Sequence, residues 1–221
     1  MESAPTLYLD AASPAIAVGL RVRAGEAPTW VHTHDEAGVA LFRAVGTLAR
    51  ARGIAMGDVA TAVLCEGPGS LLGVRLAAMA LRTWMALPRP RPLEVVGYRS
   101  LELVAAGLLA RGQRGPFHVI VDGRRATWNT LTVDAEGNLG PIRRRPAAEA
   151  FPPGEPVFHP HGFPLWQALP TGVQAVEYNP AALPGLATRF GLLRPVASPE
   201  AFMIEMPTYR EWTHEHPTRP A

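Results

Sequence analysis

Residues 58–65 are apolar almost throughout, and residues 71–87 are apolar on nearly every side, broken mainly by Arg75 and Arg82. Between them stands Gly67-Pro68-Gly69-Ser70, and Gly73 and Arg75 follow in the first turn of the second run. A short apolar run bounded by turn residues reads as a buried strand, and a longer one as a largely buried helix. Gly67 and Gly69 allow positive φ and close backbone approach, while Pro68 stiffens the turn between them. Ser70 is placed to cap the helix, and Gly73 lets it sit tightly on a neighbour. The chain is thereby committed to an α/β unit of strand, glycine turn and helix. A helix start of this kind is also a possible anion site, with Gly67, Pro68, Gly69, Ser70, Gly73 and Arg75 as its residues; a tight, well-capped turn is the alternative. The turn has neither the lysine of a P-loop nor the spacing of a dinucleotide fingerprint.

The flanking sequence extends this unit. Residues 6–11, 15–23 and 29–33 read as three strands, the first two joined as a hairpin through Ala12-Ser13-Pro14. Residues 35–52 switch to helical spacing, with Val39, Phe42, Val45, Leu48 and Ala49 on one face and Gly53 as the C-terminal cap. A proline-rich break at 88–92 precedes a strand at 93–96 and a helix that Ser100 can cap. Three strands, helix, strand, helix, strand, helix is the order of the ribonuclease H-like and actin-like folds. Residues 117–121 and 126–133 are further strand candidates, and 181–193 a short helix. Residues 140–170, rich in proline, suggest loops wrapped on a small sheet, and the tail from Thr213 is expected to be mobile. The expected division is an N-terminal lobe over 1–110 and a smaller one over 111–221.

Composition narrows the chemistry. All 21 basic residues are arginine, so no lysine can form a Schiff base or hold a phosphate as a P-loop does. The single cysteine, Cys65, excludes an internal disulfide and a zinc cage of several thiolates, and its apolar neighbours mark it as a small core residue. A net charge of +2 gives no global reason for nucleic-acid binding. The opening residues lack the basic and apolar regions of a signal peptide, and no stretch reaches the ~20 apolar residues of a membrane span. A cytoplasmic protein without membrane contact is expected.

Gly-Pro-Gly-Ser, two residues, then Gly-Val-Arg resembles the signature turn of the TsaB/YeaZ family. Leu7-Tyr8-Leu9-Asp10 is similar to that family's opening strand, Val121-Asp122-Gly123-Arg124 to its Ile-Asp-Ala-Arg segment, and Pro207-Thr208-Tyr209-Arg210 to its closing Pro-x-Tyr-Leu-Arg. The resemblance implies a two-lobed actin-like fold of mixed β-sheets flanked by helices, without a working ATP-hydrolysis site. It implies a non-catalytic subunit that pairs with TsaD for threonylcarbamoyladenosine modification of tRNA, joined by the ATPase TsaE, and a homodimer when alone. No cofactor is firmly implied; a nucleotide at the interface of the complex and indirect tRNA contact are compatible with it. The N-terminal lobe would supply the contact, through Leu72, Arg75, Leu76 and Met79. Asp10-Ala11-Ala12 departs from the family's Asp-Thr-Ser, and Leu71-Leu72 from its Phe-Thr, which leaves room for a paralogue with another partner.

Other constellations compete. Asp10, Glu66 and Asp122 end strands; converging, they would hold Mg²⁺ for phosphodiester hydrolysis, and otherwise they cap turns. An ATP-binding phosphotransferase of the actin-like class is a further alternative. His32/His34, His159/His161 and His214/His216 each form a His-x-His pair, which on a strand presents both rings to one face; surface histidines are the plainer reading. Arg143-Arg144-Arg145, with Arg89 and Arg91, is either a phosphate-contacting patch or a solvated loop.

Overall fold

The computed structural model describes residues 4–35 and 37–204. The closing Pro207–Arg210 segment, the pair His214/His216 and the tail lie outside the described residues. The first sheet runs in the order β11-β5-β4-β1-β2-β3. Its strands are β1 (Thr6–Asp10), β2 (Ile16–Arg21), β3 (Thr29–Thr33), β4 (Thr61–Cys65), β5 (Glu94–Tyr98) and the short β11 (Arg194–Pro195). β1, β4 and β5 are parallel, while β2, β3 and β11 run against their neighbours. The antiparallel hairpins come from short turns; the parallel partners require the crossover helices α1 (Ala37–Arg52) and α2 (Leu71–Ala86). The second sheet, in the order β10-β9-β6-β7-β8, is built from β6 (Phe117–Asp122), β7 (Thr127–Val133), β8 (Arg143–Pro146), β9 (Val157–Pro160) and β10 (Gln174–Val176). α3 (Ser100–Ala110) and α4 (Leu183–Phe190) complete the chain. This is the α/β, two-sheet arrangement with flanking helices expected of an actin-like or ribonuclease H-like fold.

α3 is buried along most of its length, and its Leu101, Val104, Ala105 and Leu108 join one core with Val63 and Tyr98 of the first sheet and Phe117, Val119 and Leu131 of the second. A separate core lies under α1 and α2 against the other face of the first sheet. Gly53 takes a positive φ after α1, and its amide and that of Ile54 close the helix on Arg50 and Ala49.

Four expectations change. The buried stripe of α1 is Leu41, Ala44, Val45 and Leu48, so Val39 and Phe42 stand exposed on a second apolar face. α2 is not buried all round: Gly73, Val74, Ala77, Ala78, Ala80 and Leu81 face inward, while Leu71, Leu72, Arg75 and Met79 are open. Gly73, Ala77, Ala78 and Ala80 let α2 lie close to the sheet, with Val74 and Leu81 filling the contact. Ser100 does not cap α3; Arg99 takes that position without a side-chain bond, and the Ser100 hydroxyl donates instead to the carbonyl of Pro68. Residues 140–170 contain β8 and β9, strands of four residues each, too short and too proline-flanked to show a two-residue period.

Candidate functional site

The Gly67–Arg75 segment is fixed by contact with the backbone that follows β1. A Cβ on Gly69 would stand 2.1 Å from the carbonyl oxygen of Ala12, and one on Gly73 would stand 2.3 Å from that of Ala11. The Ser70 amide donates to the same Ala12 carbonyl at 2.7 Å, and its Oγ accepts from the Gly73 amide at 3.3 Å, capping α2 as the sequence implies. Gly67 has φ +89° and precedes a cis peptide to Pro68; the Ser100 amide donates to its carbonyl at 3.0 Å. Each glycine therefore answers a steric demand. Ala11 and Ala12 are buried in this joint.

Asp10 lies beneath it, fully buried. Its carboxylate accepts from the Ala12 amide (3.0 Å), the Tyr178 hydroxyl (2.5 Å) and the Tyr98 hydroxyl, and Cys65 Sγ is 3.5 Å from Tyr178 Oη. Burial holds the Asp10 carboxyl above its ordinary value, against the lowering effect of these bonds. Burial likewise pushes the Cys65 thiol well up, with the Asp10 charge adding to it, so the thiol is poorly suited to act as a nucleophile.

A cleft of about 530 Å³ opens between the glycine turn and the second sheet. Glu66, Gly67, Pro68, Gly69, Leu71 and Val74 line one side; Asp122, Gly123, Arg124, Arg125, Asn129 and Arg144 line the other, with Trp166 and residues 201–204 at the rim. Glu66 and Asp122 thus share a cleft, but Asp10 lies in the core beneath it, and no group of three or more potential metal ligands forms among the described residues. The strand-end aspartates close turns: Asp122 accepts from the Arg124 amide at 2.6 Å and the Trp166 amide at 2.8 Å, as Asp10 does from Ala12. Of the six candidate anion-site residues, Gly67, Pro68 and Gly69 line the cleft; Ser70 is spent on the cap, Gly73 is packed under Ala11, and Arg75 is exposed elsewhere.

The arginine run resolves by register. Arg144 pairs with Asn129 in β7–β8, so both face the cleft. Arg145 points the other way, bound to Glu149 at 3.0 Å and stacked 4.5 Å over Phe151. Arg89 is used internally, donating to the carbonyls of Trp84, Met56, Gly57 and Val59, so it adds nothing to a phosphate patch. His159 is buried, which lowers its pKa, whereas His161 is exposed; His32 and His34 are both exposed.

Four further residues had no local signal in the sequence. Tyr98 and Tyr178 reach Asp10 from 88 and 168 positions away, and Asn129 and Trp166 reach the cleft only through strand register and the return of a long loop.

Outside the cleft, α1 and α2 pack side by side with Phe42 edge-on to Trp84 at 6.1 Å. Both helices expose apolar side chains: Leu72 is 75% exposed, Met79 63%, Val39 51% and Phe42 47%, while Leu76 is half-buried and Arg75 exposed.

Among solved structures, a Pseudomonas aeruginosa protein described as similar to peptidase YeaZ matches with a TM-score of 0.61 and 20% identity, over 94% of this chain and 99% of its own. YeaZ from the same organism matches with a TM-score of 0.60 and 20% identity, over 85% and 92%. The chain has the YeaZ fold. No protein-family model matches the sequence, and no curated protein matches it. No helix among the described residues is long and apolar enough to cross a membrane.

Proposed function

We propose that this chain is a divergent member of the TsaB/YeaZ family and acts as a non-catalytic binding subunit. Its partner in this reading is a TsaD-like subunit that modifies tRNA with threonylcarbamoyl groups, with a TsaE-like ATPase joining the assembly and tRNA contact indirect. The observation that carries it is the open apolar face of α1 and α2. Val39 and Phe42 on α1 and Leu72 and Met79 on α2 are exposed apolar side chains on two helices that pack together, and Arg75 is exposed on α2 as well, the composition of an interface core. Fully burying each such side chain is worth roughly 1.5–3 kcal/mol, enough to drive association through a few anchors. In the absence of the partner, the same face would pair two copies of the chain. The cytoplasm is the compartment this role requires.

Co-purification with a TsaD homologue tests the reading. Met79→Asp and Leu72→Asp place a charge in the buried contact and should weaken capture by about 100-fold or more while the thermal midpoint of the chain stays near that of the parent. Capture that survives both substitutions removes this face as the contact. No capture by the parent chain removes the partner.

A further inference from the structure

Away from α1 and α2, two loops of the second sheet form another exposed surface. They are the turn over residues 123–126, after β6, and the stretch around Trp166. Trp166 is 55% exposed, the most open of the described tryptophan, tyrosine and phenylalanine side chains, and its ring joins none of the hydrophobic cores. Arg124 and Arg125 are exposed as well and form no salt bridge among the described residues.

The loops are held without these side chains. The Trp166 amide donates to the Asp122 carboxylate at 2.8 Å, and Gln167 Nε2 donates to the Thr127 carbonyl at 2.8 Å, which ties one loop to the other. Within the turn, the Thr127 hydroxyl donates to the Arg124 carbonyl at 2.7 Å and the Arg124 amide to Asp122 at 2.6 Å. Arg124, Arg125 and Ala126 have φ of 61°, 49° and 55°, three successive non-glycine residues in the left-handed region. Local sterics favour glycine in such a turn, so two arginines in succession point to a use for their side chains.

The Arg124 guanidinium lies 4.1 Å over the Trp166 ring. Stacking fixes its plane and leaves the in-plane N–H donors for a carboxylate. Met203, 39% exposed, lines the same rim. Fixed positive charge thus stands beside an exposed tryptophan, and arginine and tryptophan are the residue types that most often anchor protein contacts. Both loops are pinned before anything binds, so little conformational freedom remains to be lost. The charge selects a partner that carries carboxylates. A nucleic-acid strand fits less well. One face of the Trp166 ring is covered by Arg124, the Phe202 ring at the rim lies 3.6 Å under Arg99, and the net charge of the chain is only +2.

We propose that this surface docks an acidic segment of a partner protein. Carboxylates of the segment meet Arg124 and Arg125, and an apolar side chain lies against Trp166. No residue of the exposed α1–α2 face takes part, so binding at either surface can fail without the other.

Panning a displayed library of random peptides of about twelve residues on the full chain tests it. Enriched peptides should carry Asp or Glu beside an apolar residue. A synthetic copy of the most enriched one should bind with a micromolar Kd that weakens about tenfold or more between ~50 mM and ~500 mM NaCl. The double variant Arg124→Asn/Arg125→Asn, which places residues that tolerate a left-handed backbone, should lose about tenfold or more at low salt while keeping the parent's thermal midpoint. Trp166→Ala keeps the amide that holds the loop and should lose about tenfold as well. No enrichment, enrichment without acidic residues, or unaltered affinity in either folded variant overturns the site. A single-stranded RNA oligomer that binds tighter than the peptide, and is lost in the arginine variant, would assign the surface to nucleic acid and overturn the protein partner.

Discussion

Two turns face each other across the cleft, and they are built on opposite terms. The turn after β4 uses glycine where the backbone demands it: Gly67 takes a positive φ, and at Gly69 and Gly73 neighbouring carbonyls leave no space for a side chain. The turn after β6 places Arg124, Arg125 and Ala126 in the left-handed region, where glycine would be the comfortable residue, and exposes all three. In the first turn sterics select the residue. In the second, side-chain identity is kept at a conformational cost. The contrast extends to the two strand-end aspartates: Asp10 is sealed in the core under two tyrosines, whereas Asp122 reaches the cleft wall.

The sharpest way to break this contrast is Gly69→Ala. A Cβ 2.1 Å from the Ala12 carbonyl oxygen must push two backbone segments apart, and the variant should lose about 4 kcal/mol or fail to accumulate as folded protein. Urea unfolding measures this; a loss near the ~1 kcal/mol of an ordinary substitution would show that the joint is loose. Asp10→Ala comes next. It strands the hydroxyls of Tyr98 and Tyr178 and the Ala12 amide, which should cost about 3 kcal/mol.

The pH response of Asp10 separates the two aspartates further. Because burial raises its folded pKa, the stability linked to this group is full below the ordinary carboxylate range and is lost as pH rises through the raised value. Urea midpoints followed upward from pH ~4 should fall less steeply in Asp10→Asn than in the parent. Identical slopes would remove Asp10 as the source. The smallest effect belongs to the strained turn. Arg125→Gly relieves a left-handed residue but adds chain entropy to the unfolded state, so it should stabilise by only about 0.5 kcal/mol. A clear destabilisation would show that the arginine side chain itself supports the fold.

Much of this was legible in the sequence. The glycine turn, the Ser70 cap, the Gly53 stop and the strand–helix order all rest on interactions within a few residues, and local chemistry reports those directly. The buried face of α1 is not legible locally, because Val39 and Phe42 repeat with the same period as Leu41, Val45 and Leu48; an apolar helix with two faces gives no local sign of which one meets the sheet. β8 and β9 were hidden because four-residue strands draw their identity from partners, not from their own alternation.

The sequence by itself determined the α/β unit around Gly67–Arg75 and the absence of lysine and disulfide chemistry. Only the tertiary structure decided that Arg144 and not Arg145 lines the cleft, that Tyr98 and Tyr178 close over Asp10, and that α1 and α2 keep an apolar face open. Those outcomes depend on strand register and on contacts between residues up to 168 positions apart, and such contacts are set when the sheets pack together.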